Sequence, residues 1–422
     1  MPNQAGPADR THRDEIQSIS REALECLQLE KLNHLLSKIL PANQFYREKF
    51  GSLTALKSLD QLKQLPFTTK NELLSAGSFA NNLTWPIDRY IRFHRTSGTQ
   101  GKPMAVLDTA EDWEWWMNVW QYVLDTAEIT TKDRAFLAFS FGPFIGFWSA
   151  HDAIIARGAM SIPGGGLSTR ARLDLINTSQ ATVLLCTPSY ALHLAEVAAD
   201  NQIDLRTSSV TRIIVAGEPG GSIPSIRNKI EKSWDARLID HAGASEIGPW
   251  GFANASQTGL HICEAEFIAE FIHSESGETL TTGESGELVL TCLGRPGSPL
   301  IRYRTGDHVT PTYDEGNNFV LLDGGILGRA DDMIVIRGVN VFPSALEEIL
   351  RSFEGVVEYR ITAFKDGEMD HLKIEVEDRA ENTATIKDAI EVGLGLRVQV
   401  ILAEANSLPR FEAKGQRFID QR

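Results

Sequence analysis

The stretch Arg95-Thr-Ser-Gly-Thr-Gln-Gly-Lys-Pro103 decides how the rest of the chain is interpreted. Small residues, hydroxyl groups, two glycines and one lysine within these nine positions predict a loop of exposed backbone N–H groups. Such a loop can surround phosphate oxygens, and Ser97, Thr99 and Lys102 add side-chain donors beside Gly98. The GxxxxGK[ST] spacing of a Walker loop is absent. Taken alone, the stretch is also compatible with an ordinary glycine-rich turn.

The bulk composition limits the classes of protein to consider. The chain has 422 residues, of which 42% are hydrophobic and 23% charged, so a folded protein of two or three domains is expected. No apolar run reaches the roughly 18 residues of a membrane span, and the polar N-terminus lacks the apolar core of a secretion signal. The four cysteines form no CxxC pair, which predicts reduced thiols in the cytoplasm.

The net charge of −15 comes from 41 basic and 56 acidic residues. A negative field of this size disfavours binding to nucleic acids and to anionic membranes. It also repels other polyanions at long range, so any site for a polyanionic ligand must be a local basic exception.

Hydrophobic periodicity indicates the organisation of the chain. Residues 14–40 carry leucines and isoleucines at helical spacing, and residues 90–325 alternate short apolar runs with helical patterns, as in α/β layers. From about 263 to 325 the pattern changes to β-hairpins with glycine turns. A smaller α+β unit with a helix starting at Pro343 follows, and the predicted domain boundary lies between residues 327 and 328.

Further motifs follow the glycine-rich stretch in a fixed order. They are Ala216-Gly-Glu-Pro-Gly220, His241-Ala-Gly-Ala-Ser-Glu-Ile-Gly248, Tyr303-Arg-Thr-Gly-Asp307, Gly328-Arg-Ala-Asp-Asp-Met-Ile334 and Lys414. Together they resemble the adenylate-forming superfamily of acyl-CoA ligases, firefly-type luciferases and peptide-synthetase adenylation domains. Three more stretches resemble its phenylacetate-CoA ligase branch: Ile162-Pro-Gly-Gly-Gly166, Thr187-Pro-Ser-Tyr190 and Gly338-Val-Asn-Val-Phe-Pro343. The resemblance covers residues 14–422.

The resemblance implies an α/β fold class. A large N-terminal AMP-binding domain, residues 1–327, should contain layered sheets and a β-rich part. A small, mobile α+β domain, residues 328–422, should follow it.

The resemblance also assigns the nucleotide-binding residues. The residues expected around adenine are Ala216, Gly217, Glu218, Pro219, Asp240, His241, Ala242 and Gly243. Asp307 should accept both ribose hydroxyls, because a carboxylate accepts two hydrogen bonds at once, and Arg329 should reach the ribose or the phosphate. Glu246, beside Ser245, should bind Mg²⁺. His241 stands where many relatives have Tyr, and the alternative is a buried histidine at a strand end.

The resemblance implies a reaction in two halves. Lys414 should bridge the incoming carboxylate and the α-phosphate of ATP, reducing the repulsion between two anions. Asp331 should be the hinge about which the small domain rotates, and Gly338 should leave room for the pantetheine arm of coenzyme A. Ala413 replaces the usual Gly before this lysine. Arg302, Arg304 and Arg337 are either ligands of coenzyme A phosphates or members of ordinary salt bridges.

The acid substrate is expected to be aryl or arylacetic. Phe141, Tyr190 and Ala216, with the neighbouring phenylalanines of residues 139–147, predict an apolar, aromatic pocket, although packing in the core explains the same residues. The tryptophans at helical spacing in residues 113–120 indicate a core-facing helix. His261, Cys263 and Cys292 fall one ligand short of a structural zinc site.

The prediction from sequence is therefore an acid–thiol ligase with ATP, Mg²⁺ and coenzyme A, and the resemblance implies a homodimer. Two alternatives remain at this point. In the first, the chain is an adenylating enzyme whose acceptor is a carrier protein or a deazaflavin cofactor. In the second, the chain is a catalytically silent nucleotide-binding protein.

Overall fold

The computed structural model describes residues 9–74, 79–96, 103–140, 142–281, 283–329, 333–337, 339–366, 369–411 and 417–422. The α-helices are α1 Arg10–Ser18, α2 Arg21–Ile39, α3 Gln44–Phe50, α4 Leu59–Leu62, α5 Lys70–Leu73, α6 Ala110–Thr126, α7 Ile145–Arg157, α8 Thr169–Thr178, α9 Pro188–Asp200, α10 Pro224–Trp234, α11 Pro343–Ser352 and α12 Thr383–Leu394. Short 3₁₀ turns lie at Ile87–Arg89 and Leu205–Thr207.

The strands fall into five sheets within the described residues. They are β1 Tyr90–Arg95, β2 Ala105–Thr109, β3 Arg134–Leu137, β4 Met160–Pro163, β5 Val183–Cys186, β6 Arg212–Val215, β7 Arg237–Ala244, β8 Gly248–Ala253, β9 Gly259–Ile262, β10 Phe267–Ile272, β11 Gly286–Cys292, β12 Tyr303–Val309, β13 Pro311–Asp314, β14 Asn317–Asp323, β15 Gly328–Arg329, β16 Ile334–Ile336, β17 Val339–Val341, β18 Val356–Asp366, β19 Met369–Asp378, β20 Gln399–Leu402 and β21 Phe418–Asp420.

The largest sheet has nine strands in the order β13-β14-β9-β8-β7-β6-β5-β3-β4. Strands β4, β3, β5, β6 and β7 are parallel neighbours, whereas β7 and the strands beyond it pair antiparallel. All four residues of β5 are buried, as expected where helices cover both faces of a parallel sheet. The predicted α/β layering is confirmed. Its functional consequence is that the loops after β6 and β7 meet at one edge of the sheet.

Helix α6 packs its tryptophans into the core of this large unit. Trp113, Trp115, Trp116 and Trp120 are each at most 6% exposed. The helix begins at a capping box in which the Thr109 and Asp112 side chains bond reciprocally to the backbone. The prediction of a core-facing aromatic stripe is confirmed.

The β-rich region after residue 263 is also confirmed. Strands β10, β11, β12 and β15 form an antiparallel sheet, and β13 and β14 form a hairpin on the edge of the large sheet. The predicted N-terminal helices are α1 and α2, which Ser20 separates by capping the second helix. Among the described residues, no helix is long and apolar enough to cross a membrane.

The C-terminal unit has its own hydrophobic core. Helices α11 and α12 pack with a four-stranded sheet of order β20-β19-β18-β21. Leu346 and Leu350 of α11 are fully buried and Phe353 is partly buried, so the predicted amphipathic helix is confirmed. The domain boundary at residues 327 and 328 stays a prediction.

Candidate active site

Several predicted site residues lie outside the described residues. They are Ser97, Gly98, Thr99, Lys102, Phe141, Asp331, Gly338 and Lys414. The frame of the glycine-rich stretch is nevertheless defined, because β1 and β2 pair antiparallel on either side of it. The Thr96 N–H donates to the Met104 carbonyl and the Met104 N–H donates to Thr96 Oγ1, both at 3.0 Å. The two ends of the stretch therefore lie side by side.

The loop after β6 lies at the carboxyl edge of the parallel strands. Gly217 has φ +95°, a conformation that favours glycine. Glu218 Oε1 accepts the backbone N–H of Ser189, at the first turn of α9, at 2.8 Å. Because β6 pairs with β7, this loop is adjacent to Ala242 and Gly243 at the end of β7. The residues predicted around adenine are thus brought to one edge of the sheet.

His241 is buried within this edge. Its ring centroid lies 4.3 Å from that of Trp120, and Nδ1 lies 2.7 Å from the Gly251 carbonyl. Because a carbonyl only accepts, Nδ1 carries the proton. Burial lowers the pKa of His241 to about 4, so the ring is neutral at pH 7. These contacts favour the buried strand-end alternative, and stacking on adenine stays a prediction.

Glu246 is held by two basic residues that the motifs did not predict. Lys70 Nζ, at the start of α5, lies 2.9 Å from Glu246 Oε1, and the Glu246 carboxylate is only 10% exposed. Arg295 donates to the Glu246 carbonyl and, at 2.7 Å, to Asp108. Neither basic residue lies in a nucleotide-binding motif, so only the tertiary fold reveals them. Ser245 is half-buried next to this carboxylate.

Asp307 and Arg329 meet across neighbouring strands. They are register partners in the β12–β15 pair, and Arg329 Nη1 lies 3.4 Å from Asp307 Oδ1. The carboxylate is 13% exposed and the guanidinium 35%, so both remain accessible to a ligand. The structure therefore brings together two residues predicted to contact the ribose.

The predicted acid-pocket residues are less open than expected. Tyr190 is fully buried, its hydroxyl donates to Thr169 Oγ1 at 3.2 Å, and the Arg172 guanidinium lies 4.9 Å from its ring centroid. Ala216 is half-buried at the sheet edge. Phe147 packs in the core, as the alternative explanation of these phenylalanines requires. The pocket lining stays a prediction.

Two of the three arginines considered for coenzyme A phosphates form salt bridges. Arg302 is buried and pairs with Glu270 at 2.8 Å, and Arg304 pairs with Glu287 through Nε at 3.1 Å. Arg337 donates to the backbone carbonyl of Arg397. The salt-bridge alternative is thus the one that the structure shows for Arg302 and Arg304.

The possible zinc ligands do not form a metal site in the described part of the chain. There, no group of three or more histidine, cysteine, aspartate or glutamate side chains has a geometry that could hold a metal ion. Nδ1 of His261 contacts the Phe319 carbonyl at 3.2 Å. Burial raises the pKa of both thiols, and it raises the pKa of Cys292 to about 12. Cys263 and Cys292 are therefore neutral thiols.

Solved structures with this architecture include 2-hydroxyisobutyryl-CoA ligase. The chain superposes on that ligase in its postadenylation state with a TM-score of 0.91 and 26% identity, over 100% of this chain and 94% of that one. Against the same ligase in its thioesterification state, with coenzyme A, the TM-score is 0.72 over 96% and 91% of the two chains. The arrangement of this chain is therefore more similar to the postadenylation state.

Sequence comparisons agree with the structural ones. Residues 338–422 match the family model of the AMP-binding enzyme C-terminal domain. The chain is 32% identical to the phenylacetate-coenzyme A ligase of Pseudomonas putida and 31% identical to that of Escherichia coli strain K12, each over 98% of both chains. This chain belongs to the phenylacetate-coenzyme A ligase family and is an AMP-forming acyl-coenzyme A ligase that uses ATP, Mg²⁺ and coenzyme A.

Proposed function

We propose that this enzyme activates an aryl or arylacetic acid as its acyl-adenylate and transfers the acyl group to coenzyme A. The choice of acid is based on the similarity to phenylacetate-coenzyme A ligases along 98% of the chain. Apart from Phe147, which packs in the core, the aromatic residues at 139–147 support this choice, because an apolar lining favours an aromatic acid over a small polar one.

Glu246 is proposed as the Mg²⁺ ligand. Its carboxylate is a hard oxygen donor in a largely buried position, which fits the preference of this cation. When bound, Mg²⁺ supplies charge neutralisation on the ATP phosphates. Lys70 holds the same carboxylate in place and adds positive charge where the anionic nucleotide must bind.

The nucleotide is proposed to bind along the carboxyl edge of the large sheet. Gly217, Glu218 and Pro219 would border adenine on one side, with Ala242 and Gly243 on the other. Asp307 would accept the ribose hydroxyls, and Arg329, its neighbour across the strand pair, would donate to the ribose or phosphate. Ser97, Thr99 and Lys102 are proposed phosphate ligands.

Lys414 is proposed to act only in the first half-reaction. An ammonium between the acid carboxylate and the α-phosphate offsets their repulsion and stabilises the charge that develops as pyrophosphate leaves. Rotation of residues 328–422 about Asp331 would then remove Lys414 and bring Gly338 beside the acyl-adenylate. The thiolate of coenzyme A would attack the carbonyl carbon, and AMP would leave.

Pyrophosphate release from Mg-ATP across a panel of acids tests the proposal. The panel contains aryl, arylacetic and short aliphatic acids, including 2-hydroxyisobutyric acid, and each is measured with and without coenzyme A. We expect release with an aromatic acid and faster AMP formation with coenzyme A. Release with aliphatic acids alone would refute the substrate class. Release that coenzyme A leaves unchanged would point to a carrier protein or a deazaflavin acceptor.

We also propose a homodimer in the cytoplasm. The dimer rests on the resemblance to relatives that form dimers, and light scattering of the purified protein tests it. The location rests on the four cysteines, all of which are free thiols in the structure. Fractionation of cells that express the chain tests the location.

A further inference from the structure

Arg410 is held between two carboxylates on different parts of the molecule. Its Nη2 lies 2.9 Å from Glu196 Oε1, and its Nε lies 3.2 Å from Glu196 Oε2. On the other side, Nη2 lies 2.8 Å from Glu377 Oε2 and Nη1 lies 3.1 Å from Glu377 Oε1. Two fork-like pairs of this kind fix the direction of a guanidinium as well as its position.

The two carboxylates belong to different hydrophobic units. Glu196 lies on α9, which packs in the core of the parallel sheet, whereas Glu377 lies on β19 of the C-terminal sheet. Glu377 also accepts the backbone N–H groups of Asn406 and Leu408, at 3.0 and 2.7 Å. It therefore organises the segment that leads to Arg410, and Glu196 alone of the two carboxylates ties that segment to the large unit.

The pair with Glu196 stays ionised over the usual pH range. Burial alone would raise the pKa of Glu196, but hydrogen bonds from His193 and Arg410 lower it to about 2. The side chains of Glu196 and Arg410 are 15% and 19% exposed, so the pair is screened less by salt than a surface pair. By contrast, the Lys232–Glu354 pair, which also joins the two units, is largely exposed, at 76% and 88%.

We propose that Arg410, through Glu196, is a positioning residue for the first half-reaction. Arg410 lies four positions before Lys414, so its pair with Glu196 fixes to α9 the point from which the chain continues towards the lysine, in the arrangement that resembles the postadenylation state. The small domain must break this pair when it rotates for transfer to coenzyme A. The inference rests on the proposed role of Lys414 in adenylation.

The test separates the two half-reactions in Glu196→Gln. This change keeps the shape of the side chain and leaves the Arg410–Glu377 pair intact. Adenylation is measured as acid-dependent pyrophosphate release, and transfer is measured as acyl-CoA formation from supplied acyl-adenylate. We expect adenylation to fall about tenfold, as for the loss of one charged hydrogen-bonded pair, while transfer stays at least as fast as in the unmodified protein.

Glu375→Gln is the matched control. Glu375 forms a similar bidentate pair with Arg360, at 2.7 and 2.9 Å, but both residues lie within the C-terminal sheet. The control should leave both half-reactions unchanged, and the thermal unfolding midpoints of both variants should be similar. The inference is refuted if Glu196→Gln spares adenylation, or if it slows adenylation and transfer by the same factor.

Lys414→Ala, measured in parallel, distinguishes failure of this inference from failure of the proposed function. Loss of adenylation alone, by about 10²- to 10³-fold, supports the role of Lys414. With that result, a normal Glu196→Gln variant overturns only the positioning role of Arg410. If Lys414→Ala slows both half-reactions equally, the proposed role of the lysine fails, and a selective adenylation loss in Glu196→Gln still supports the link to α9.

Discussion

Lys70 Nζ lies 2.9 Å from Glu246 Oε1, so the carboxylate proposed to bind Mg²⁺ already has a cationic partner. The lysine is 40% exposed, whereas the carboxylate is largely buried. Within the described residues, this ion pair engages one of the two carboxylate oxygens of Glu246. A charge-balanced carboxylate of this kind is suited to a site where a cation and an anionic nucleotide bind together.

Glu246→Gln should raise the Mg²⁺ concentration needed for half-maximal adenylation by at least about tenfold. Changing a residue that only supports a metal ligand typically lowers metal affinity or activity about 10- to 100-fold. Removing the charge of a ligand itself should lower metal affinity at least as much. Magnesium titrations of acid-dependent pyrophosphate release measure the effect. Glu30→Gln, at an exposed position on α2, is the control. An unchanged magnesium requirement in Glu246→Gln would remove Glu246 from the metal site.

The sequence was most informative in the short motifs that contain the predicted site residues. Gly217, Glu246 and Asp307 lie in short motifs whose residue types indicate a chemical role. The alternation of strands and helices separately predicted the sheet edge at which such loops meet. Lys70 and Arg295 were not predicted, because their contacts with Glu246 arise only when distant segments pack together. The link between Arg410 and Glu196 spans 214 residues and was missed for the same reason.

Buried side chains were also difficult to assign from sequence. His241 and Tyr190 lie within motifs, and a motif does not tell which face of a strand or helix a ring occupies. In the structure the His241 ring packs on Trp120, and the Arg172 guanidinium lies over the Tyr190 ring. Those orientations follow from tertiary packing, so the sequence supported both the ligand-facing and the core-facing interpretation.

Arg295→Gln should lower the free energy of unfolding by about 3–5 kcal/mol, the range for an orphaned buried charge. Arg295 is fully buried and pairs with Asp108, which is also fully buried. Burial alone would raise the pKa of Asp108, but the Arg295 charge lowers it, so the carboxylate is ionised and would lose its partner. Urea unfolding followed by fluorescence measures the loss.

A double variant controls for that change. Asp108→Asn combined with Arg295→Gln removes both charges, so part of the lost stability should return. If the double variant is no more stable than Arg295→Gln, the loss arises from packing, for example against Trp116, whose ring centroid lies 5.7 Å from the guanidinium.

His241 should make the folded protein less stable as the pH falls from about 6.5 towards 4. Its folded-state pKa is lowered from 6.5 to about 4, so in this window the unfolded chain binds the proton more tightly. Stability is therefore retained above pH 6.5, and up to about 3 kcal/mol is lost by pH 4. Thermal unfolding of His241→Phe across this range should show a flatter pH dependence than the unmodified protein.

His34→Phe is the control for His241, because His34 is exposed on α2. Its pH dependence should match that of the unmodified protein. If His241→Phe and the unmodified protein lose stability in parallel between pH 6.5 and 4, then other groups account for the acid sensitivity and the buried imidazole does not.

Gly217→Ala should weaken both folding and ATP binding through the backbone. A Cβ atom at this position would lie 3.7 Å from Thr187 Cγ2, an ordinary contact, so the added methyl group fits. The cost comes from φ +95°, which an L-residue adopts only with strain of about 1–3 kcal/mol. Relief of that strain would move the loop proposed to border adenine, so the Kd for ATP should rise several-fold in calorimetric titrations.

Gly146→Ala separates backbone strain from the general effect of replacing a glycine. Gly146 lies in the first turn of α7, and a Cβ atom there meets nothing within 4 Å. That change should leave ATP binding unaltered and stabilise the protein by about 0.5–1 kcal/mol, because alanine loses less conformational freedom than glycine in a helix. Normal ATP binding in Gly217→Ala would show that the loop after β6 tolerates the change, and would place the adenine elsewhere on the sheet edge.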